Sequence, residues 1–201
     1  IQMFSIHGLI RSDNLELGRD ADTGGQVTYV LELARQLSTL DSVARVDLFT
    51  RLIADKTVSD DYAKPLEPVN DKMRIVRVQC GGRKYLRKEL LWPHLDEFID
   101  KTVKFIKREQ ALPDIVHGHY PDAGYVCVRL ANLLGVPLLY TGHSLGRDKR
   151  KRLLASGLSA EAIEQTYNIA RRIAAEEEVL ANAELVITST HHEIEEQYEL
   201  Y

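Results

Sequence analysis

The most informative segment of the chain runs from Thr141 to Lys149 and directly follows the apolar residues 138–140. It contains His143, which can accept or hold a proton near neutral pH. Arg147 and Lys149 are residue types that bind phosphate and other anions. Because α/β proteins place their ligands at the carboxyl ends of parallel strands, we interpret this segment as part of a binding site for a polar, anionic small molecule.

A second candidate is the sequence Gly24-Gly25-Gln26, which stands where a charged loop meets a helical pattern. Two glycines allow close backbone approach, and the free amides of a helix N-terminus favour an anion or a sugar hydroxyl. A plain turn with a helix cap explains the same residues equally well. Neither a GxGxxG fingerprint nor a GxxxxGK[ST] loop is present, which disfavours nicotinamide and P-loop nucleotide chemistry.

The remaining polar groups each have a simpler interpretation. His117 and His119 have the spacing of a metal-binding pair, but no third ligand follows, so local hydrogen bonding is favoured and no metal is expected. Lys88 lies in a basic loop, where a solvent-exposed side chain is the simpler interpretation. It is a candidate ligand-binding residue only because it is expected on the same side of the crevice as Lys149. The absence of a GxSxG elbow disfavours a serine hydrolase.

Charged pairs in the last third of the chain favour exposed positions. The pattern predicts that Arg171 and Arg172 lie off the apolar stripe of a long helix and pair with a nearby acid, Glu176 or Glu178. Glu177 falls within that stripe, where a carboxylate is unexpected. His191 and His192 stand among glutamates and are interpreted as a solvated face.

The elements that must position these groups alternate between strand and helix. Helical spacing of apolar residues predicts helices over 26–40, 93–109, 122–134 and 159–180, a further helix from Thr190, and Ser159 as an N-cap. Strand patterns cover 1–7, 43–50, 74–80, 113–117, 136–140 and 184–188, and residues 54–72 are interpreted as a surface loop. This order predicts an α/β fold with a mostly parallel sheet and helices on both faces. The loops at 8–25, 79–92, 118–121 and 141–149 then meet at one edge.

Composition excludes several classes of function. The chain has 201 residues, 44% hydrophobic content and a formal charge of −4, which indicates one domain without a general attraction to nucleic acid or membranes. Cys80 and Cys127 lie far apart, so reduced thiols and a cytoplasmic location are expected. The chain opens on a strand pattern and ends in a helical pattern, and we expect both ends to lie within a longer protein.

Several long motifs together resemble the sucrose-phosphate synthase family, in the form shared by plants and some bacteria. They are Gly8-Leu9-Ile10-Arg11, the run from Leu17 to Gln26, Leu91-Trp92-Pro93, His117-Gly118-His119-Tyr120, Thr141 to Lys149, and Val186-Ile187-Thr188-Ser189-Thr190. The resemblance covers nearly the whole chain. Sucrose synthase is the nearest related family, and it shares the Asp-Thr-Gly-Gly-Gln stretch.

The resemblance implies the amino-terminal half of a GT-B glycosyltransferase, in which two Rossmann-like domains face each other across a cleft. Such enzymes transfer glucose from UDP-glucose to fructose 6-phosphate with retention, which yields sucrose 6-phosphate and UDP. No metal and no further cofactor are implied. Residues 1–201 then form a single acceptor-binding domain. The carboxy-terminal domain that binds UDP-glucose is absent from the chain, which alone is expected to be inactive.

The resemblance also implies roles for individual residues. His143 stands beside the reacting centre and positions sugar hydroxyls rather than acting as a nucleophile. The residues implied to bind the acceptor sugar are Gly24, Gly25, Gln26 and Tyr120, and those implied to surround its phosphate are Lys88, Ser144, Lys149 and Arg172. The alternatives are a sucrose synthase-like enzyme that uses free fructose, and a non-catalytic module that binds sugar phosphates.

Overall fold

A seven-stranded sheet forms the centre of the computed structural model, which describes residues 1–201. Its strands are β1 (Gln2–Phe4), β2 (Val46–Arg51), β3 (Leu66–Asn70), β4 (Met73–Val78), β5 (Val116–His119), β6 (Leu138–Thr141) and β7 (Leu185–Val186). Their spatial order is β3-β4-β2-β1-β5-β6-β7, and every neighbouring pair is parallel except β3 with β4. The mostly parallel α/β fold predicted from the alternating pattern is therefore confirmed.

Six α-helices connect or flank the strands. They are α1 (Gly25–Ser38), α2 (Leu95–Glu109), α3 (Tyr120–Leu134), α4 (Gly146–Ala155), α5 (Ala160–Tyr167) and α6 (Ile169–Asn182). Short helical turns lie at Asp60–Ala63, Lys88–Leu90, Trp92–His94, Glu193–Gln197 and Tyr198–Leu200. No helix is both long and apolar enough to cross a membrane.

Helices cover both faces of the sheet because successive strand residues point to opposite sides. Met3 and Leu48 belong to a core of 11 buried residues that packs under α1. Their chain neighbours Phe4 and Phe49 belong to a core of 23 buried residues formed with α2, α3 and α6. The two cores hold the strand ends, and therefore the loops that follow them, in a fixed arrangement.

The strand order reverses direction beside β1. From β1 the chain proceeds outward through β2 and β4, whereas β5, β6 and β7 are added on the other side of β1. Loops leaving the carboxyl ends of β1 and β5 therefore diverge and leave a crevice between them, where open α/β sheets bind their ligands. The segments that follow β1, β5 and β6 contain most of the candidate site residues.

Two element predictions, the loop at 54–72 and the strand at 113–117, are wrong in detail. The segment at 54–72 contains β3, an antiparallel edge strand that includes Pro68. Proline signalled a loop, but an edge strand tolerates it because one side of the strand needs no hydrogen-bond donor. The strand predicted at 113–117 instead covers Val116–His119, so His117 and His119 lie within β5, and α3 begins at Tyr120 without an intervening loop.

The long helix predicted over 159–180 is broken at Asn168, although Ser159 caps its first half as expected. Asn168 has a φ of 48° and ends α5 before α6 begins. Asparagine tolerates this left-handed conformation better than most residues. The break rotates the buried face, so that Ala170 and Ala174 are exposed while Arg172 and Glu176 are buried.

The segment predicted as a loop over 141–149 becomes helical at Gly146. Helix α4 is rich in charge and buries only Gly146, so its sequence has no apolar stripe that would reveal a helix. Its N-terminus is bound by Glu176, which accepts hydrogen bonds from the backbone N–H of Gly146 at 3.0 and 2.8 Å.

Candidate active site

Four of the residues implied for the acceptor line one narrow pocket at the carboxyl edge of the sheet. Its walls are Lys88, Glu89, Trp92, Tyr120, Asp122, Lys149, Tyr167 and Arg172. The pocket has a volume of only 10 Å³, room for about one water. It adjoins a cleft of 460 Å³ that shares Lys88, Glu89, Lys149 and Tyr167, a size typical of small-molecule sites.

Lys88 enters this cleft from the short helix after β4 and is held by Asp22. Asp22 accepts hydrogen bonds from both the side chain of Lys88 and its backbone N–H, the latter at 2.9 Å. Burial tends to raise the pKa of Asp22, but the bonds from Lys88 outweigh it and the pKa is lowered. Glu89 lies 3.4 Å from the same ammonium group, so Lys88 is neutralised locally and a ligand anion must compete for it.

Arg172 is buried at the back of the pocket and connects α6 to the loop after β6. Its Nε donates to Glu176 at 2.9 Å, and its Nη2 donates to the Ser144 carbonyl at 2.7 Å and hydroxyl at 3.0 Å. The guanidinium also lies 4.6 Å from the ring centroid of Tyr120. Burial would lower the pKa of Arg172, but Tyr120 and Glu176 outweigh it and raise the pKa. The prediction that Arg172 is exposed is wrong.

Lys149 differs from the other two cations because no carboxylate lies within ion-pair distance of its ammonium. Its Nζ stands 4.0 Å from the ring centroid of Tyr167. Burial, followed by the neighbouring charges of Arg172 and Lys88, lowers the pKa of Lys149 from 10.5 to about 8. A half-buried ammonium with no counterion is a strong site for an incoming anion, since the anion restores the lost charge balance.

The floor of the pocket is formed where β5 passes into α3. Tyr120 has a φ of 77°, a strained conformation for an aromatic residue. Its ring meets that of His7 edge to face at 4.6 Å, and His7 Nδ1 lies 2.8 Å from Asp122 Oδ2. This buried pair joins the end of β1 to α3 and holds Tyr120 against Arg172.

Gly24 is the N-cap of α1, and Gly25 is its first residue. A Cβ atom built on either glycine would meet nothing within 4 Å, so internal packing does not explain them. The side-chain amide of Gln26 donates to Ser5 Oγ at 3.2 Å. The helix N-terminus therefore faces open space next to Asp22, which leaves room for close approach of a ligand to the backbone.

His143 lies just beyond β6 with a φ of 60°. Its Nε2 is 3.0 Å from Nδ1 of His119, and its ring packs edge to face on Tyr29 of α1 at 5.0 Å. Burial lowers the pKa of His143 to about 4. The imidazole is therefore neutral at neutral pH. It lies between the N-terminal part of α1 and the loop that contains Ser144.

Arg147, which the sequence suggested as a phosphate ligand, does not line the pocket. It pairs with Glu177, donates to the carbonyl oxygen of Leu200 and lies 4.6 Å from the ring centroid of Tyr201. Glu177 is accordingly exposed and pairs at the surface. The unexpected buried carboxylate of this helix is instead Glu176, which is fully buried.

No group of three or more His, Cys, Asp or Glu side chains is arranged to hold a metal ion. His117 Nε2 contacts the Thr141 hydroxyl at 2.9 Å, and His119 contacts His143. His191 and His192 are exposed, as predicted. A depression of 670 Å³ also lies at the opposite end of the sheet, by the amino ends of β1, β2 and β5, but none of the candidate residues lines it.

The sequence named Glu176 as a partner of the arginine pair, and the structure confirms that it pairs with Arg172. Its burial was not predicted, because the break at Asn168 changes the buried face of the helix. Three other residues that organise the site were missed. Asp22 is separated from Lys88 by 66 positions, and Asp122 is separated from His7 by 115. Tyr167 follows no motif. The spacing of Arg172 and Glu176, one helical turn apart, was the one signal available in the sequence.

Comparisons with known proteins match the chain to a sucrose synthase family model and to sucrose-phosphate synthases. A family model described as "Sucrose synthase first GT-B domain" matches residues 1–200. The chain is 48% identical to probable sucrose-phosphate synthase 1 of Oryza sativa subsp. indica, and 47% identical to sucrose-phosphate synthase 4 of Arabidopsis thaliana. Both alignments cover 100% of this chain and 21% of the relative, so the chain spans about a fifth of their length.

A solved structure shows the same fold. Sucrose-phosphate synthase from Thermosynechococcus elongatus superposes with a TM-score of 0.75 at 25% sequence identity. The match covers 96% of this chain and 43% of that protein. The sheet described above is therefore the amino-terminal type of GT-B domain, as the sequence motifs suggested.

Proposed function

The chain belongs to the family of sucrose synthase first GT-B domains, and we propose that it is the acceptor-binding domain of a sucrose-phosphate synthase. In this proposal the longer enzyme transfers glucose from UDP-glucose to fructose 6-phosphate with retention. The products are sucrose 6-phosphate and UDP. The similarity to sucrose-phosphate synthases along the whole chain supports this assignment.

One observation carries the acceptor assignment: Lys149 presents an unpaired, half-buried ammonium to a cleft that also contains Lys88. Arg172 closes the back of the adjoining pocket. A phosphate bound here replaces the carboxylates on Lys88 and supplies the counterion that Lys149 lacks. Charge-assisted bonds of this kind are among the strongest that a protein makes to a small ligand.

The sugar ring is proposed to lie between this phosphate site and the N-terminus of α1. Gly24 and Gly25 leave space for its hydroxyls to approach the backbone, and Gln26 adds a side-chain amide. Tyr120 lines the pocket. His143 is then the residue nearest to the reacting centre, and its neutral ring positions sugar hydroxyls. No nucleophile on this domain is required.

The chain spans about a fifth of the relatives' length, and we propose that a second, carboxy-terminal domain supplies the UDP-glucose site. On this basis residues 1–201 alone bind acceptor weakly and do not turn over. We propose a cytoplasmic location, since Cys80 and Cys127 are both buried, free thiols.

The experiment that tests the proposal compares fructose 6-phosphate with fructose in titrations of the 201-residue chain, with chemical shifts of Lys149 and its neighbours as the readout. We expect saturable shifts around Lys88 and Lys149 with the phosphorylated sugar, at a concentration where fructose has no effect. Equal affinity for the two sugars would contradict the phosphate site.

A sucrose synthase-like enzyme is the second candidate, because the matching family model is described by that name. Such an enzyme would use free fructose, and the same titration separates the two functions. A non-catalytic sugar-phosphate module is distinguished by activity. It would bind fructose 6-phosphate while the longer protein transferred no glucose to it.

A further inference from the structure

The structure assigns a positioning role to His119: we infer that its ring holds the proton of His143 on Nδ1, so that His143 keeps an N–H donor that no group of the chain accepts and that a ligand can use. This inference deepens the proposed function of His143 and rests on it. His119 is fully buried, so it cannot touch a sugar directly.

The contact between the two rings is specific. His119 Nδ1 and His143 Nε2 lie 3.0 Å apart, a normal hydrogen-bond distance. His119 sits at the end of β5 with no solvent exposure. Its position is set by the sheet, because β5 pairs with β6 from Val116↔Leu138 to His119↔Thr141. The hydrogen bond thus joins the end of β5 to the loop that follows β6.

One of the two nitrogens in this contact must carry the proton, because both rings are neutral. Burial lowers the pKa of His119 far below its usual value and that of His143 to about 4. The other nitrogen of His119, Nε2, is buried without any hydrogen-bond partner. A proton there would be an orphaned N–H, and such groups are rare and costly in protein interiors.

The remaining arrangement puts the proton on His119 Nδ1, which donates to His143 Nε2. The proton of His143 must then be on Nδ1, which makes no hydrogen bond within the chain. The Tyr29 ring meets His143 edge to face and limits its rotation. His143 therefore offers a fixed donor, which suits a sugar oxygen acceptor.

This arrangement has a chemical consequence. With its basic lone pair occupied by His119, His143 cannot take a proton from the attacking acceptor hydroxyl. It contributes by donating one hydrogen bond, and the hydroxyl proton must leave to a base outside this domain.

The direct test is a measurement of the tautomer in the 201-residue chain. Long-range ¹H–¹⁵N correlations of the imidazole rings distinguish protonated from unprotonated nitrogens for each of the 7 histidines. We expect both His119 and His143 to be protonated at Nδ1 at neutral pH. A His143 protonated at Nε2 overturns the inference, and this measurement requires no variant.

Two substitutions test the consequence in the longer enzyme. His119→Asn keeps an amide N–H near the position of Nδ1, whereas His119→Leu keeps the bulk and removes the donor. We expect His119→Leu to lower kcat about 100-fold, with the KM for fructose 6-phosphate changed less than about 2-fold, by analogy with other residues that fix a histidine tautomer. His119→Asn should recover most of kcat, and the exposed His192→Asn is the control.

Equal activities of folded His119→Leu and wild type contradict the inference, as does an equal loss in His119→Leu and His119→Asn. Failure of the proposed function looks different. In that case the tautomer measurement succeeds, but no variant, wild type included, transfers glucose to fructose 6-phosphate.

Discussion

Substitution of Lys149 by alanine is the sharpest test of the acceptor site. Lys149 is the one cation of the pocket without a carboxylate partner, so its removal deletes a phosphate contact without releasing an internal ion pair. A lost charge-assisted hydrogen bond costs roughly 1.5–3 kcal/mol, which corresponds to an increase of about 10- to 150-fold in the dissociation constant.

The effect should also depend on pH, with a sign that the structure determines. Because the pKa of Lys149 is about 8, the ammonium form predominates at pH 7 and is the minor form at pH 9. Phosphate binds the ammonium form, so the affinity of wild type for fructose 6-phosphate is near its maximum at pH 7, below the pKa of Lys149. It decreases above pH 8 by at most about tenfold per pH unit. Lys149→Ala should lack this alkaline decrease.

The assay is the KM for fructose 6-phosphate in the longer enzyme, together with the dissociation constant for the isolated chain. Lys151→Ala is the matched control, because Lys151 lies on the same helix and is exposed. An unchanged KM in Lys149→Ala would refute the assignment. A loss shared equally by Lys149→Ala and Lys151→Ala would indicate general electrostatic attraction instead of a bound phosphate.

Three further substitutions address the rest of the site, and a fourth, at Gly124, is a control. Glu176→Gln leaves Arg172 buried without its counterion and should lower the free energy of unfolding by roughly 3 kcal/mol in urea titrations; a change below about 0.5 kcal/mol would contradict the pairing. The pKa of Asp22 is lowered below 3.8, so the Asp22 carboxylate stabilises the fold above pH 3.8 and this stabilisation is lost in acid. Asp22→Asn should abolish this pH dependence of the melting temperature. Gly24→Ala should weaken acceptor binding about 10-fold with little change in stability, since its Cβ meets no atom within 4 Å. Gly124→Ala, whose Cβ would lie 2.9 Å from Tyr140, should instead destabilise the fold and leave the affinity of folded protein unchanged.

The parallel sheet and most helices were predictable because their signals are local. Alternating strand patterns and helical stripes persist wherever an element packs on one face, as in α2, where Leu95, Phe98, Ile99 and Ile106 are all buried. Elements without such a face escaped prediction. Helix α4 buries only Gly146, and β3 is an edge strand interrupted by Pro68.

The same limit applies to the candidate residues: their identities were predictable from the sequence, and most of their partners were not. Lys88, Tyr120, Lys149 and Arg172 were named from the resemblance to a family, and the structure brings them to one pocket. The resemblance carried no information about the partners of these side chains. Arg147 appeared equivalent to Lys149 in the sequence, yet its side chain pairs with Glu177 outside the pocket.

The sequence by itself determined the fold class and the end of the sheet at which the candidate residues Lys88, Tyr120, Lys149 and Arg172 come together. These properties follow from local periodicity and from the rule that ligands bind at the carboxyl ends of parallel strands. The tertiary structure alone decided the charge state and orientation of each group. Burial and partners distant in the chain set those properties, as when Asp22 pairs with Lys88 and His119 lies within hydrogen-bond distance of His143.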